Sequence, residues 1–279
     1  MLLREAIAAA GMTPPSELVP GRWLRFPGIG KGRSNRSGWC RIITPTLAIF
    51  GDWSSNLSTV WRDETHQDTE SARRALAEAR RREREFAEAQ RKRQRQVATE
   101  AAKLIEDSFL MKHPYLEAKG FPDVYGLVRG ENLLVPMHDA RWYKDVINVQ
   151  QIAPDGTKRF LTGGRAGGAI HRLGARNARH TVLCEGYATG LSLREALDLL
   201  PGPSQVIVCF SALNLQRIAP LYPGAVVAAD HDRSGTGEQA ARATGLKWMM
   251  PSEFGDFNDL HLREGIFAVV SALREVPGS

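Results

Sequence analysis

Acids stand where apolar runs give way to glycine. Thr181-Val182-Leu183-Cys184 ends on Glu185 and Gly186, and Ala225 to Ala229 ends on Asp230-His231-Asp232. Carboxylates two apart on an extended segment point to one face. Asp230 and Asp232 can therefore act together, with Glu185 joining them from another strand. Unpaired carboxylates gathered in one place raise each other's pKa. A divalent, oxygen-preferring cation such as Mg²⁺ relieves that repulsion. The turn Arg233-Ser234-Gly235-Thr236-Gly237 leaves backbone N–H groups free at a helix start. Arg233 and Gly235 thus mark a natural position for phosphate. Asp256, with Asn258 and Asp259, follows another strand and can complete a second metal position. Metal, carboxylates and phosphate together suggest nucleotidyl or phosphodiester chemistry. An isolated Asp-x-Asp usually marks a turn or a helix cap. The ordered set of strand–Glu-Gly, strand–Asp-x-Asp-x-x-Gly and Asp-x-Asn-Asp is much more specific.

The elements that must position these acids are legible around them. Leu191–Leu200 and Glu238–Thr244 are helical in pattern, and Gln205–Phe210 and Gly245–Met250 are strand-like. Such alternation predicts βαβ units around a parallel sheet, with chemistry at the carboxyl ends of the strands. A final helix is expected over Ile266–Glu275. Upstream, His113–Gly120 predicts a short helix. Leu133–Met137, Asp145–Ile152 and Lys158–Leu161 predict strands, the last entering a glycine-rich loop, Gly163–Gly168.

The front of the chain predicts a helix over Leu2–Ala10 and strands at Gly21–Phe26, Trp39–Ile43 and Leu47–Phe50, closed by Gly51-Asp52-Trp53. The loop Gly28–Gly38 carries Lys31, Arg33 and Arg36. Two readings of this β-rich module stand side by side: tryptophans packed in a sheet core, or aromatics and arginines forming a nucleic-acid surface. Asp68 to Ser108 contains no Gly or Pro and is rich in Ala, Glu, Arg and Gln, which predicts one long helix. Its basic middle, Arg80 to Arg95, reads as a solvated linker or as a helix along a phosphate backbone.

The chain has 279 residues and a formal net charge of +6, which suits a polyanionic partner without identifying one. No apolar run is long enough for a transmembrane helix, and Met1-Leu2-Leu3-Arg4-Glu5 is not a convincing signal peptide. A cytoplasmic protein away from the membrane is expected. Cys40, Cys184 and Cys209 are far apart, which excludes a four-cysteine zinc site and a disulfide framework.

Thr181 to Leu262 resembles a Toprim domain, the metal-binding catalytic fold of DnaG-type primases, topoisomerases and OLD-family nucleases. Glu185-Gly186-Tyr187-Ala188-Thr189-Gly190 with Asp230-His231-Asp232-Arg233-Ser234-Gly235 is similar to primases of plasmids, phages and integrative elements. Leu134-Val135-Pro136-Met137 and Lys158-Arg159-Phe160-Leu161 resemble the subdomain preceding Toprim in the primase core. Trp23-Leu24-Arg25-Phe26 and Phe50-Gly51-Asp52-Trp53 look like the front end of mobile-element primases.

The resemblance implies an α/β fold: a Toprim core preceded by a mixed α+β primase subdomain, a small β-rich N-terminal module and a basic linker helix. It implies the division 1–65 (module), 66–108 (basic helical linker), 109–178 (N-terminal subdomain of the core) and 179–279 (Toprim). By resemblance Glu185 is a metal-associated or acid/base group, Asp230 and Asp232 are the principal Mg²⁺ ligands, and Asp256 is a further metal-site acid, with Mn²⁺ as a substitute and no zinc. Lys158, Arg159 and Arg165 would meet template or nucleotide. The implied activity is template-directed synthesis of RNA primers from ribonucleoside triphosphates on single-stranded DNA, alongside a separate replicative helicase. The alternatives are an OLD-like Toprim nuclease and a non-catalytic single-strand-binding module. The usual N-terminal zinc ribbon and a Walker-type ATP loop are both missing.

Overall fold

The computed structural model describes residues 1–55, 57–63, 70–176 and 178–275. The 65/66 boundary, Asp68 and Thr69 at the predicted helix start, and 276–279 lie outside the described residues. The chain divides into two compact units, Met1–Ala89 and Gln90–Ser279.

In the first unit, α1 (Leu3–Ala9) covers one face of an antiparallel sheet of β1 (Trp23–Phe26), β2 (Gly38–Thr44), β3 (Leu47–Asp52) and β4 (Leu57–Arg62), in that order. Strand alternation sends Phe26, Cys40, Ile42, Ala48 and Phe50 into a core with Leu3 and Ile7. β4 is an addition to the sequence expectation, which closed the sheet at Trp53. Asp52 is fully buried. Its carboxylate accepts from the Ile29 N–H (3.0 Å), the Ser54 N–H (2.9 Å) and the hydroxyls of Ser54 and Ser55, tying the basic loop to the sheet. Trp61 packs against this core and Trp39 is buried, while Trp23 and Trp53 are exposed.

The long helix α2 (Glu70–Glu106) runs unbroken. Its side chains from Arg80 to Arg93 are largely exposed, including Phe86. One face of its last turns is covered: Val97 and Ala101 are buried, and Ala101, Leu104 and Ile105 pack with Leu134 and Val149.

The second unit holds β5 (Phe109–Met111), α3 (Pro114–Ala118), β6 (Gly126–Arg129), β7 (Asn132–Asp139), β8 (Val146–Ile152), β9 (Lys158–Phe160) and β10 (Ala169–Gly174). There follow β11 (His180–Cys184), α4 (Tyr187–Asp198), β12 (Ser204–Val208), α5 (Ala212–Ile218), β13 (Val226–Ala228), α6 (Thr236–Ala243), β14 (Lys247–Met249), α7 (Phe257–Glu264) and α8 (Ile266–Arg274). One ten-stranded sheet runs β14-β13-β11-β12-β10-β7-β6-β5, with β8 on β7 and β9 on β8. Its β14, β13, β11 and β12 are mutually parallel, and the others pair antiparallel. The architecture is therefore mixed α/β. Both faces of the parallel part are apolar, as a covered sheet requires. Leu193, Leu197, Phe257 and Val269 pack on one side, and Leu215, Ile218 and Ala241 on the other. β5, β6, β10, α5 and α7 lie beyond the elements expected from the sequence.

Candidate active site

Glu185, Asp230 and Asp256 all follow the carboxyl ends of parallel strands. Glu185 comes directly after β11. The Phe210 N–H binds its main-chain oxygen at 2.9 Å, and the Ala212 N–H at the start of α5 binds its carboxylate. Phe210 sits at φ +67, a left-handed conformation that costs a bulky residue of the order of 1 kcal/mol. This sharp turn is what aims the first N–H groups of α5 at Glu185. Burial, with Asp232 adding, raises the Glu185 pKa above the usual carboxylate range.

Asp230 and Asp232 are two apart but are not equivalent. β13 stops at Ala228, so neither lies on the strand proper. Asp232 folds back over its own turn. Its oxygens accept from the N–H groups of Ser234 (2.8 Å), Thr236 (3.2 Å) and Gly237 (2.8 Å), and from the Ser234 hydroxyl. These bonds, led by the Ser234 hydroxyl, hold its pKa down at about 2. Asp230 points into the protein. Its Oδ1 is enclosed and has no hydrogen-bond partner among the described residues. Burial first, then the charges of Asp256, Glu185 and Asp232, push its pKa up to about 7, while Lys158 pulls it down.

Asp256 is brought to Asp230 by a two-bond bridge. The His231 N–H donates to the Gly255 carbonyl (2.9 Å), and the Gly255 N–H donates to that of His231 (3.0 Å). Asp256 is also the N-cap of α7, accepting from the N–H groups of Asn258 (2.7 Å) and Asp259 (3.0 Å). Thr189 of α4 donates its hydroxyl to the other carboxylate oxygen at 3.0 Å. Asn258 is fully buried and reaches the Lys119 carbonyl at 2.9 Å and Ser192 Oγ at 3.1 Å, fastening α3 to α7.

Facing these acids is a basic pole. Lys158 on β9 keeps contact with solvent, yet crowding by the protein and the Lys119 ammonium lower its pKa, against the pull of Asp256 and Asp230. Its Nζ lies 5.7 Å from the centre of the Tyr115 ring. Arg159 is exposed beside it. Arg165 is ion-paired with Asp139. Arg233 lies over the Phe254 ring at 5.9 Å. Gly235 is the left-handed residue at the start of α6, φ +68. Gly237 packs directly on the Asp230 backbone, where a Cβ would overlap the carbonyl oxygen. Thr189, Phe210, Lys119, Asn258 and Gly237 were not among the site residues expected from the sequence.

Among the described residues, no three His, Cys, Asp or Glu side chains stand close enough to enclose an ion together. The donor set nevertheless fits a hard cation. It offers carboxylate oxygens only, and Asp230 Oδ1 is a buried acceptor lacking the positive partner that burial demands. The carboxylates of Asp232 and Asp256 accept N–H bonds and keep further lone pairs.

A mixed α/β chain with a carboxylate cluster at the ends of parallel strands is the class these observations define. Its particular likeness is to DNA primases encoded by plasmids. Over 165 residues, half of this chain, it is 30% identical to a DNA primase TraC of Escherichia coli, covering 15% of that protein. It is 29% identical to a second TraC of the same organism, covering 11% of it. The chain thus spans a small part of the length of the curated relatives it matches. No protein-family profile matches it. Among solved structures, the primase domains bound to the bacteriophage T7 lagging-strand polymerase give a TM-score of 0.44 at 13% identity, covering 61% of this chain and 93% of that one. A DnaG primase catalytic domain bound to single-stranded DNA gives 0.39 at 18% identity, covering 58% and 57%. At these scores neither likeness bears on the chemistry.

Among the described residues, no helix is long and apolar enough to cross a membrane.

Proposed function

We propose that this chain carries the catalytic core of a DNA primase, a Toprim-type nucleotidyltransferase that makes short RNA primers on single-stranded DNA for a plasmid, phage or integrative element. The supporting observation is the opposition of Asp230 and Lys158. A carboxylate with one oxygen buried and unpartnered among the described residues, and with other acids around it, faces a lysine that itself feels those acids. The TraC relatives supply the reaction class. In this reading residues 109–178 and 179–279 are the two parts of the core, with the module 1–65 and the basic helix 66–108 in front.

Glu185, Asp230, Asp232 and Asp256 would hold Mg²⁺, with Mn²⁺ as a substitute. A divalent cation bound there supplies positive charge to the triphosphate and acidity to the attacking 3′-hydroxyl. The protein's own part is positional. Thr189 and the start of α7 fix Asp256, and the α5 N-terminus fixes Glu185. Lys158, with Lys119 behind it, meets the triphosphate, and Arg233 with the N–H groups around Gly235 meets phosphate at the other side. Arg159 follows the template. Arg165 acts through its pairing with Asp139, steadying the glycine-rich loop. A separate helicase supplies opened strand.

The test is incubation with single-stranded DNA, four ribonucleoside triphosphates and Mg²⁺. Short labelled products that need all of these components support the primase reading. Template cut in metal alone turns the same acids into a nuclease site, and an intact template without product leaves a binding module.

A further inference from the structure

The open face of the first unit's sheet carries a row of aromatic rings interleaved with arginines. Strand alternation gives this face Trp23 and Arg25 from β1, Trp39 and Arg41 from β2, Ile49 from β3 and Val60 from β4. The register sets Trp23 opposite Arg41 and Arg25 opposite Trp39. Trp23 and Trp39 meet edge-on at 5.5 Å, and Trp39 and Trp53 lie tilted at 5.4 Å. Each end of the row holds a guanidinium over a ring: Arg41 at 5.6 Å from Trp23, and Arg25 at 5.7 Å from Trp53.

Core packing does not account for the row. The unit's core and α1 lie on the opposite face, with Phe26, Cys40 and Phe50. Trp23 and Trp53 keep 53% and 55% of their surface in solvent, and Val60 keeps 45%. Two large rings held in place and left wet by their neighbours form a surface prepared for contact.

Charge decides what it would contact. Residues 1–63 contain eight Arg or Lys against four Asp or Glu. The one acid on the four strands, Asp52, is buried beneath the loop and fully committed to it. Arg36, from the loop that also carries Lys31 and Arg33, offers its carbonyl to Arg25 at 3.4 Å, so the basic loop borders the same face. Rings that stack on planar partners, with cations for a polyanion and no exposed acid on the four strands, match a single strand with unpaired bases. A duplex hides its base faces and gives the rings nothing to stack on.

We infer that the open face of this sheet, where the exposed rings of Trp23 and Trp53 rest on the buried Trp39 beside Arg25 and Arg41, binds single-stranded DNA, separately from the carboxylate site. The choice of DNA over RNA rests on the primase reading above. Stacking and phosphate contact need neither metal nor nucleotide.

The test measures binding of labelled oligo-dT to the full chain in chelator, by anisotropy and by quenching of tryptophan emission. Trp23→Ala and Trp53→Ala should each weaken binding about tenfold and reduce the quench, while Trp53→Phe restores most of the affinity. Arg41→Ala should lower the salt slope by roughly 0.7, the share of one single-strand phosphate. Unchanged affinity in both Trp→Ala variants, with melting curves like wild type, would overturn the proposal. So would equal binding of duplex, or preference for oligo-U. Binding lost in the tryptophan variants of a protein that makes no primer sinks the primase reading and keeps this one. Primer synthesis with tryptophan-independent binding does the reverse.

Discussion

The Thr189 hydroxyl donates to Asp256 across 67 positions of sequence, at 3.0 Å. The glycine-bounded segment after β11 and the Asp-x-Asn-Asp segment after β14 are therefore one device. Thr189→Val should leave Asp256 capping α7 but free to rotate, and lower primer synthesis by roughly tenfold to a hundredfold, as loss of a ligand-orienting partner does. Thr189→Ser should restore it. Single-turnover rates at several Mg²⁺ concentrations check this. A rate like that of wild type in the valine variant would show that the bond orients nothing.

Asp230 ties stability to pH. Its folded pKa is about 7, because burial and the neighbouring acids oppose its charge. The unfolded chain ionises near 4. Between those values the folded state holds the proton more tightly, so this group makes stability fall as pH rises. Half-buried His171, pushed down to about 4 by loss of solvent, gives the opposite slope. The difference between wild type and Asp230→Asn isolates the effect. In chelator, Asp230→Asn should gain on wild type by up to ~1.4 kcal/mol per pH unit between those limits. Mg²⁺ should raise the melting temperature of wild type only. Parallel profiles for the two proteins would remove Asp230 from the charged cluster.

Asp52 has the opposite sign. Although burial raises its pKa, bonds from Ser37, Ser54 and Ile29 outweigh that and bring it to about 2. Its contribution is present above about pH 4 and lost as pH falls toward 2. Asp52→Ala should strand several donors and loosen the first sheet by about 3 kcal/mol. Hydrogen exchange of β1–β4 in the full chain reads this out. Protection equal to wild type at neutral pH would contradict it.

Gly237→Ala tests the packing of α6 on the site. The added methyl would overlap a backbone oxygen of Asp230, which cannot swing aside as a flexible side chain can. Overpacking of this kind costs about 1–3 kcal/mol, and the turn holding Asp232 must shift with it. Primer synthesis should fall at least tenfold, roughly the equivalent of 1.4 kcal/mol. Full activity with an unchanged melting curve would place the turn outside the reaction.

Several of these relationships are legible in the sequence and several are not. Short apolar runs ending on Glu185 and before Asp230 mark strand ends, because a parallel sheet covered on both faces needs continuous apolar strands. The capping role of Asp256 goes unread there: the segment reads as a metal-site acid after a strand, whereas the carboxylate also caps α7. The strand pattern located Trp23 and Trp39 but not their surroundings, since it does not say which face of a sheet is covered. β10, Ala-Ile-His-Arg-Leu-Gly, is too polar to signal a strand and is held by its antiparallel neighbours β7 and β12. The left-handed Phe210 and the Asn258–Lys119 bond leave no local mark, because tertiary contacts impose both.

The most direct measurement is primer synthesis on mixed-sequence single-stranded DNA with labelled ribonucleotides and Mg²⁺, wild type beside Asp230→Asn, with strand binding measured in parallel. The account predicts short labelled RNA from wild type only, and equal binding by both proteins. Equal synthesis by Asp230→Asn, or cut template in place of labelled product, would contradict it.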